Sequence, residues 1–525
     1  RCIIHQGVNM MTLHNFWHWA EQTPARTAVI GPDGRQLTFA ELDARVNQLS
    51  HGLRALGYRR GDAVAVVIPN GIEWLEIFLA TLQSGLYMVA LNHHLVGAEL
   101  AYIIDNCDAR GLIGHRRYGE ALAAAVESLD FDPAQRFGIG GLPGFHDYES
   151  LLAGQPITPP AERSCGALML YTSGTTGKPK GVRRKLPEES PEEVAFKSSF
   201  LCLLVNGSVG SGSHLVQGPL YHSGPSGFGM AALQAGQSLV IMDKWTAEAV
   251  LALIDRHRIT ATHLVPTHFE RLLDLPEAVR ARYDLSCLTH VVHAAAPCPV
   301  GSKQRMIDWW GPVIHELYGA TEGGGTSCSS QEWLQRPGTV GKAWPVSQVK
   351  ILDESGCELP AGTPGLIYMS TAIAQFEYHK DSEKTQRSRR GELFTTGDIG
   401  YLDEEGYLFL CDRQSDMVIS GGVNIYPAEI EGALLQHPKV RDVAVFGVPD
   451  PQWGEAIKAV IELSDGAEPG ERLTDELKQF LEGRLARYKW PKSFDYVSTL
   501  PRTETGKLMK RTLREPYWAG LERKV

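Results

Sequence analysis

The sequence contains few of the features that would set it apart from ordinary globular proteins. Its nine cysteines include no Cys-x-x-Cys pair, and their odd number and scattered spacing predict reduced thiols rather than a disulfide framework or a zinc site. The longest apolar run, residues 78–91, is too short for a membrane span and is interrupted by Gln83 and Ser84. The net charge of −10 argues against general nucleic-acid binding.

The first residues also lack the apolar core of a signal peptide. The chain begins with Arg1 rather than Met, and Met10 and Met11 follow, so we expect residues 1–9 to be non-native or an extended start. Together with the reduced thiols, these features predict a cytoplasmic protein. The sequence contains no internal repeats.

What the chain does contain is an alternation of strand and helix patterns. Its 525 residues are too many for a single hydrophobic core. Apolar runs such as residues 63–68 predict buried strands, Thr38 with Glu41 predicts the start of a helix, and Asn70 is expected to cap the next helix. This alternation, which continues to residue 293, predicts parallel α/β layers with ligands at the carboxyl ends of the strands.

The pattern changes after Pro337. Short strands separated by Asp-Glu-Ser-Gly and Asp-Glu-Glu-Gly turns predict an antiparallel β unit, and the elements beyond Asp412 predict a compact α+β segment. The predicted fold class is therefore α/β. We expect a large N-terminal domain, residues 10–413, of parallel α/β layers plus the antiparallel unit, followed by a small mobile α+β domain, residues 414–525.

One stretch, residues 171–182, loses all hydrophobic pattern after the apolar strand 167–170. It reads Tyr-Thr-Ser-Gly-Thr-Thr-Gly-Lys-Pro-Lys-Gly-Val. Its glycines let the backbone turn tightly and bring amide groups close to an anion, while its hydroxyls and lysines add donors and positive charge. The loop is therefore predicted to bind phosphate oxygens, with these candidate residues: Thr172, Ser173, Gly174, Thr175, Thr176, Gly177 and Lys180.

Two other interpretations of the loop are weaker. The Walker A pattern needs four residues between its first glycine and Gly-Lys-Ser/Thr, whereas only Thr175 and Thr176 separate Gly174 from Gly177. A flexible Gly/Ser/Thr linker would share this composition. The preceding strand and the lack of further low-complexity sequence argue against a linker.

This loop closely resembles the phosphate loop of the adenylate-forming superfamily, which includes acyl-CoA synthetases, luciferases and peptide-synthetase adenylation domains. Five segments between residues 171 and 507 resemble motifs of this family in the expected order and cover nearly the whole chain. The resemblance is closest to the fatty-acyl-CoA and aryl-CoA ligases. It implies that ATP, Mg²⁺ and coenzyme A take part in the reaction.

The resemblance also implies which residues hold the nucleotide. Small side chains at residues 294–297 would let the adenine pack on the backbone. The Asp398 carboxylate would accept two hydrogen bonds from the ribose diol, and Glu322 would supply a hard oxygen for Mg²⁺. The implied nucleotide-binding residues beyond the loop are Ala295, Ala296, Pro297, Tyr318, Gly319, Thr321, Asp398, Arg413 and Lys507.

The implied catalytic residues are Lys507, Glu322 and His222. Lys507 lies in a basic tail and would bridge the attacking carboxylate and the α-phosphate, which offsets charge as two anions meet. His222, within residues 219–228, would lie beside the acyl carbonyl.

A second state of the enzyme is implied as well. The small domain would rotate about a hinge at Arg413 and Ser415 and present Ser420, Gly421 and Gly422 to the pantetheine arm of CoA. The sequence departs from the family at Ser415, where lysine or aspartate is common, and in the unusually charged segment 183–193.

The resemblance implies a two-step ligase that forms an acyl-adenylate and then transfers the acyl group to CoA. Glycines at 224, 227, 229 and 323–325 suggest a roomy pocket, and the segment around His222 has no acidic anchor for a substrate amine. We therefore expect a medium- or long-chain fatty acid or a bulky aryl or alicyclic acid. The expected partners are small molecules, without nucleic acid or a membrane span, and a homodimer stays open as an assembly.

Three alternatives remain at this stage. The acyl acceptor could be the phosphopantetheine of a carrier protein, or the chain could bind nucleotide without catalysis. A Cys–His acyltransferase using Cys298 or Cys328 is the most distant, because both thiols are more simply explained as small buried fillers.

Overall fold

The computed structural model describes residues 14–172, 179–197, 207–345, 347–371, 376–420, 423–503 and 506–519. The chain divides into two compact units. The first unit comprises residues 1–264, 275–292 and 374–385, and the second comprises residues 265–274, 293–373 and 386–525. The domain boundary expected between residues 413 and 414 stays a prediction.

An eight-stranded sheet in the first unit carries the strand that leads to the predicted phosphate loop. Its central strands pair in parallel and are buried on both faces, as their continuous apolar runs predict. The strand after the loop returns antiparallel to the strand before it. In spatial order the strands are Phe376–Tyr378, Lys180–Arg184, Ala167–Thr172, Tyr87–Ala90, Ala63–Val67, Ala109–His115, Arg136–Ile139 and His146–Asp147.

Further strands of the first unit form a second, mostly parallel arrangement. Gln36–Thr38 runs antiparallel to its neighbour, and the strands from Thr27–Ile30 to Ala261–Leu264 pair in parallel. In spatial order they are Gln36–Thr38, Thr27–Ile30, Ser238–Ile241, Ser213–Val216, Ala261–Leu264 and His290–His293, the last of which ends at the border of the unit.

Helices pack on these strands through apolar faces. The main helices of the first unit are Phe16–Gln22, Phe39–Ala55, Ile72–Gln83, Gly97–Asn106, Gly119–Glu127, Ser223–Gln234, Ala247–His257, Glu277–Arg280 and Ser382–Arg387, the last of which ends in the second unit. The prediction that Asn70 caps the next helix is wrong, because that helix begins at Ile72 and Gly71 occupies the cap position. The Asn70 amide instead donates to the carbonyl oxygens of Gly218 and Met242, so contacts distant in sequence determine its role.

The helix start predicted at Thr38 is present, with a complete capping box. The Thr38 Oγ1 accepts from the Glu41 amide, and the Glu41 carboxylate accepts from the Thr38 amide at 2.8 Å. We expect Thr38→Ala to lower the free energy of unfolding by about 1 kcal/mol, measured by urea titration. The exposed Thr499 is the control, since Thr499→Ala should change stability by less than about 0.5 kcal/mol. Equal losses in the two variants would contradict the assigned role of the cap.

The second unit contains the antiparallel β unit predicted after Pro337. Its pairs are antiparallel, and Ser347–Leu352 pairs with Gly365–Thr371. Ser347–Leu352 lies beside the main order of strands. In spatial order, the remaining strands, with Gly365–Thr371 among them, are Ile314–Gly319, Gly325–Cys328, Thr339–Ala343, Leu408–Arg413, Asp398–Leu402, Gly365–Thr371, Leu393–Phe394 and Arg389–Arg390.

The last part of the second unit is the predicted α+β segment. A long hairpin of Val440–Asp450 and Gly454–Leu463 forms its centre, and Ser493–Val497 adds in parallel. Val418–Ser420 and Val423–Ile425 complete the sheet. The helices of the second unit are Pro266–Leu273, Val300–Trp310, Ser330–Gln335, Pro427–Leu434, Glu471–Leu481 and Lys510–Arg514.

The predicted α/β fold class is thus confirmed, including the antiparallel unit and the compact C-terminal segment. Among the residues that the structure describes, no helix combines the length and apolarity needed to cross a bilayer.

Candidate active site

The predicted phosphate loop follows a central strand of the first unit. That strand, Ala167–Thr172, ends at the loop, whose candidate residues from Ser173 to Gly177 lie outside the described part of the chain, as does the Thr172 side chain. The Tyr171 hydroxyl donates to Asn106 Oδ1 at 2.6 Å and fixes the start of the loop.

Lys180 begins the strand after the loop and forms an ion pair within the first unit. Its Nζ lies 2.6 Å from Asp381 Oδ2, and the hydrogen bond from Lys180 lowers the pKa of Asp381. A phosphate group would therefore compete with Asp381 for this lysine. The motif alone gave no sign of this partner, which lies 201 residues away.

His222 lies directly before the helix Ser223–Gln234 in the first unit. Burial lowers its pKa to about 4, so the imidazole is neutral at pH 7 and can donate or accept a hydrogen bond without carrying charge. Its ring lies 4.4 Å from that of Tyr221.

The glycines after His222 are part of this helix rather than of an irregular segment. A Cβ on Gly224 would lie 3.0 Å from the His263 ring, and one on Gly229 would lie 3.0 Å from Val216, whereas one on Gly227 would meet no atom within 4 Å. Gly224 and Gly229 therefore serve close packing, and the roomy pocket expected from the glycines stays a prediction.

The turn predicted to hold the adenine lies in the second unit, where Ala295 has a φ of +75°. Left-handed backbone is uncommon for alanine and marks a sharp, specific turn. Ala295 and Pro297 are exposed and Ala296 is half-buried, so small side chains border an accessible surface.

Asp398 organises a polar cluster in the second unit. The Tyr318 hydroxyl and the Thr396 hydroxyl each donate to its Oδ2 at 2.8 Å, and Arg413 Nε lies 3.1 Å from its Oδ1. Burial and the charge of Asp398 raise the pKa of Tyr318, which keeps the phenol protonated as a donor. Tyr318 and Asp398 are 80 residues apart, and sequence reasoning did not link them.

These contacts limit how a ribose could bind. A carboxylate offers about four acceptor positions, and three are occupied here. Binding both hydroxyls of a diol therefore requires one partner to move. The half-exposed Arg413 is the partner with the most freedom to do so, since it ends a strand at the predicted hinge.

Lys507 lies within the electrostatic reach of this cluster. Burial and the neighbouring Arg413 lower its pKa, while Asp416 and Asp398 oppose that shift. The second unit thus brings together Lys507, Arg413, Asp398 and Tyr318, which the sequence analysis had assigned to one nucleotide site from separate motifs.

Glu322 and Thr321 follow the strand Ile314–Gly319, and Glu322 is only 6% exposed. A single buried carboxylate suits Mg²⁺, because this ion keeps several waters and is usually held by one or two carboxylates together with substrate phosphates. Among the described residues, no cluster of three or more His, Cys, Asp or Glu side chains could hold a metal without a substrate.

The predicted hinge begins with a tight turn. The amides of Asp416 and Met417 both donate to the Arg413 carbonyl at 3.0 Å, and Arg514 donates to the Ser415 carbonyl at 3.1 Å. Ser420 ends the strand Val418–Ser420, and Gly421 and Gly422 lie outside the described residues. The hinge and the CoA-binding residues stay predictions.

The two cysteines considered as nucleophiles are unsuited to that role. Burial raises the pKa of Cys298 well above its usual value and that of Cys328 to about 12. Since the thiolate is the nucleophile, both groups stay inactive thiols at neutral pH. This finding argues against the acyltransferase alternative.

Comparisons with known proteins agree with this geometry. The family profile of AMP-binding enzymes matches residues 16–376, and that of the AMP-binding enzyme C-terminal domain matches residues 429–507. A feruloyl-CoA synthase from an Amycolatopsis species is 34% identical over 95% of this chain and 97% of its own length. The long-chain-fatty-acid–CoA ligase FadD13 of Mycobacterium tuberculosis is 31% identical, covering 92% and 94% of the two chains.

Among solved structures, the anthranilate CoA ligase AuaEII in complex with anthranoyl-AMP superposes with a TM-score of 0.84. It is 28% identical and covers 97% of this chain and 98% of its own. The predicted reaction class, an AMP-forming acid–thiol ligase that uses ATP, Mg²⁺ and CoA, is confirmed by these matches. The chain therefore belongs to the adenylate-forming family of AMP-binding enzymes.

Proposed function

We propose that this ligase activates an aryl acid of the phenylpropenoate type and transfers it to CoA. The relative with 34% identity is a feruloyl-CoA synthase. In the first unit, the Phe228 ring, six residues beyond His222, stacks on the His263 ring at 4.8 Å, so aromatic side chains lie on the segment that follows His222. The lack of an acidic anchor near His222 supports an acid without an amine.

The reaction we propose has two steps. A carboxylate oxygen of the acid attacks the α-phosphorus of ATP, and pyrophosphate leaves. The CoA sulfur then attacks the acyl carbon, its proton passes to solvent, and AMP leaves. The observation that carries this proposal is the convergence of Lys507, Arg413, Asp398 and Tyr318 in the second unit.

Each residue of that cluster has a proposed part in the first step. Lys507 places positive charge where the carboxylate and the α-phosphate meet, and burial strengthens that field because less water screens it. Asp398 and Tyr318 orient the ribose and the base. Glu322 would hold Mg²⁺, which would supply charge neutralisation of the phosphates.

The substrate proposal is tested by pyrophosphate release with a panel of acids in the presence of CoA. Ferulate, anthranilate, palmitate, octanoate and acetate cover the aryl, fatty and short-chain classes. We expect ferulate to give the highest kcat/KM. A second candidate is a long-chain fatty acid, which the 31% identity to FadD13 favours, and a preference for palmitate would support that candidate.

The nucleotide site is tested by Asp398→Asn. The substitution removes the negative charge that pairs with Arg413 and is proposed to accept hydrogen bonds from the ribose hydroxyls. It should weaken ATP binding by about 1.5–3 kcal/mol, which corresponds to about a 10- to 150-fold higher KM for ATP. Asp353→Asn is the control, because Asp353 lies in an exposed turn where it caps the amide of Cys357. An unchanged KM for ATP in Asp398→Asn would contradict the proposed ribose site.

Three finer assignments belong to this proposal. The seven cysteines of the described residues are all free, which supports a reducing, cytoplasmic compartment. The small domain rotates about Arg413 and Ser415 between the two steps. A homodimer is the proposed assembly, and light scattering coupled to size-exclusion chromatography tests it.

A further inference from the structure

Hydrogen bonds join Lys507 and Gly506 to Thr503. The Thr503 amide donates to the Lys507 carbonyl at 2.9 Å, and the Lys507 amide donates to the Thr503 hydroxyl at 3.1 Å. The Gly506 amide donates to the Thr503 carbonyl at 2.8 Å. These bonds fix the backbone of Lys507 relative to Thr503 and Gly506.

Arg502 anchors this turn to the hairpin of the α+β segment. Its Nε and Nη2 lie 2.8 and 2.6 Å from Asp442 Oδ2, and its Nη1 donates to the Gly506 carbonyl at 2.5 Å. The pair is mostly buried, with 26% and 18% of the two side chains exposed, so solvent screens it less than a surface ion pair. The position of the lysine turn is thus tied to the strand Val440–Asp450.

Within the second unit, the backbone of Gly506 lies against the side chain of Thr267. A Cβ on Gly506 would overlap Thr267 Oγ1 and lie 3.0 Å from the Thr267 Cβ and Cγ2. Gly506 also has a φ of +75°, which favours glycine. Glycine is needed here both for the turn and for this close approach.

Thr267 belongs to a helix that is firmly fixed. It follows Pro266 at the start of Pro266–Leu273, whose apolar residues Phe269, Leu272 and Leu273 are buried. Phe269 packs edge-on to His293 at 5.1 Å. The Thr267 side chain that contacts Gly506 therefore has little freedom to shift.

The contact joins a helix that precedes the predicted hinge to a turn that follows it in the chain. Arg441, next to the anchoring Asp442, lies 3.7 Å from Asp274 just beyond the same helix. Both contacts hold the lysine turn in the arrangement in which the charges of Asp398 and Arg413 act on Lys507. A rotation about the hinge would have to break them.

We propose that Thr267 is a positioning residue for adenylation, whose side chain limits how deeply the turn of Gly506 and Lys507 approaches the site. This inference rests on the proposed role of Lys507. Thr267 touches no reacting atom in this proposal, and it acts only in the half-reaction that uses Lys507. Transfer of the acyl group to CoA does not depend on the contact.

The test separates the two half-reactions. Pyrophosphate release without CoA, with ferulate or palmitate as the probe acid, reports adenylation, and the reaction of supplied acyl-adenylate with CoA reports transfer. Thr267→Leu pushes the turn outward and should lower kcat for adenylation about 10²-fold, since a displacement near 1 Å costs that much. Transfer should stay unchanged, and Thr267→Val, which keeps the shape, should adenylate like the parent enzyme.

Two controls make the result specific. Thr499→Leu is the same substitution at an exposed threonine of the C-terminal segment and should leave both half-reactions unchanged. In a Lys507→Ala background, Thr267→Leu should cause no further loss, because the contact acts through Lys507.

Normal adenylation by Thr267→Leu, an equal loss in both half-reactions, or a further loss in the Lys507→Ala background would overturn the proposal. If Lys507→Ala itself adenylates normally, the proposed role of Lys507 fails, whatever Thr267→Leu does. If Lys507→Ala is impaired and Thr267→Leu is not, only the inference about Thr267 fails.

Discussion

Replacing Lys507 with alanine is expected to slow formation of the acyl-adenylate about 10²–10³-fold, the usual cost of losing one preorganised charged donor. Lys507 lies with Arg413 and Asp398 in the second unit, and its burial reduces the screening of its charge. The loss should fall on kcat, because the charge of Lys507 is needed most where two anions meet in the transition state. Acid-dependent pyrophosphate release measures this effect.

The half-reaction with CoA provides the internal control. Lys507→Ala should convert supplied acyl-adenylate and CoA to thioester at the parent rate, because the proposed rotation of the small domain, which includes Lys507, withdraws this residue before that step. Lys350→Ala removes a 40% exposed lysine paired with Glu358 and should change neither rate. Full adenylation by Lys507→Ala would refute the assigned role of this residue.

Lys303→Met is expected to lower the free energy of unfolding by about 3–5 kcal/mol, because it leaves a buried carboxylate without its main counter-charge. Lys303 Nζ lies 2.6 Å from Glu316 Oε2, and the Lys303 side chain is fully buried. Burial alone would raise the pKa of Glu316, but His293 and Lys303 together hold it below its usual value. The carboxylate is therefore ionised inside the second unit and depends on these partners.

Urea titration of Lys303→Met against two further variants measures this effect. Lys303→Met combined with Glu316→Gln should recover much of the lost stability, because the unpaired charge is gone. Lys350→Met breaks an exposed pair and should cost less than about 1 kcal/mol. A loss below about 1 kcal/mol in Lys303→Met as well would show that the buried ion pair does not stabilise the unit.

We expect Lys303→Met to lower the rate of adenylation as well. Glu316 lies on the strand Ile314–Gly319, two residues before Tyr318, whose hydroxyl donates to Asp398. A shift of this strand would move the phenol away from the carboxylate that it orients. The buried cluster of Lys303, Glu316 and His293 is therefore a support for the nucleotide site, and no motif in the sequence had indicated it.

Local chemistry made much of the fold predictable. The capping box at Thr38 depends on groups three residues apart, and the strand at residues 63–67 depends on a continuous apolar run. Asn70 shows the limit of such reasoning. Its side chain could cap a helix, but the carbonyls of Gly218 and Met242, more than 140 residues away, bind it instead.

The glycines illustrate the same limit in the candidate site. Their number after His222 suggested space for a large acid, yet Gly224 and Gly229 bring the helix close to His263 and Val216. Gly324 and Gly325 have positive φ values of 70° and 157°, so the backbone itself needs them. A sequence shows that a glycine has no side chain. Only the neighbouring residues in the structure show whether a glycine leaves space for a ligand or allows close packing.

The sequence by itself determined the order of the glycine, hydroxyl, carboxylate and lysine groups along the chain and the reaction class that follows from that order. These properties depend on residue type and short spacing, which the chain records directly. Only the tertiary structure decided which of these groups meet. Tyr318 reaches Asp398, Lys180 pairs with Asp381, and Gly506 rests on Thr267, because folding brings together residues 80 to 239 positions apart in the chain.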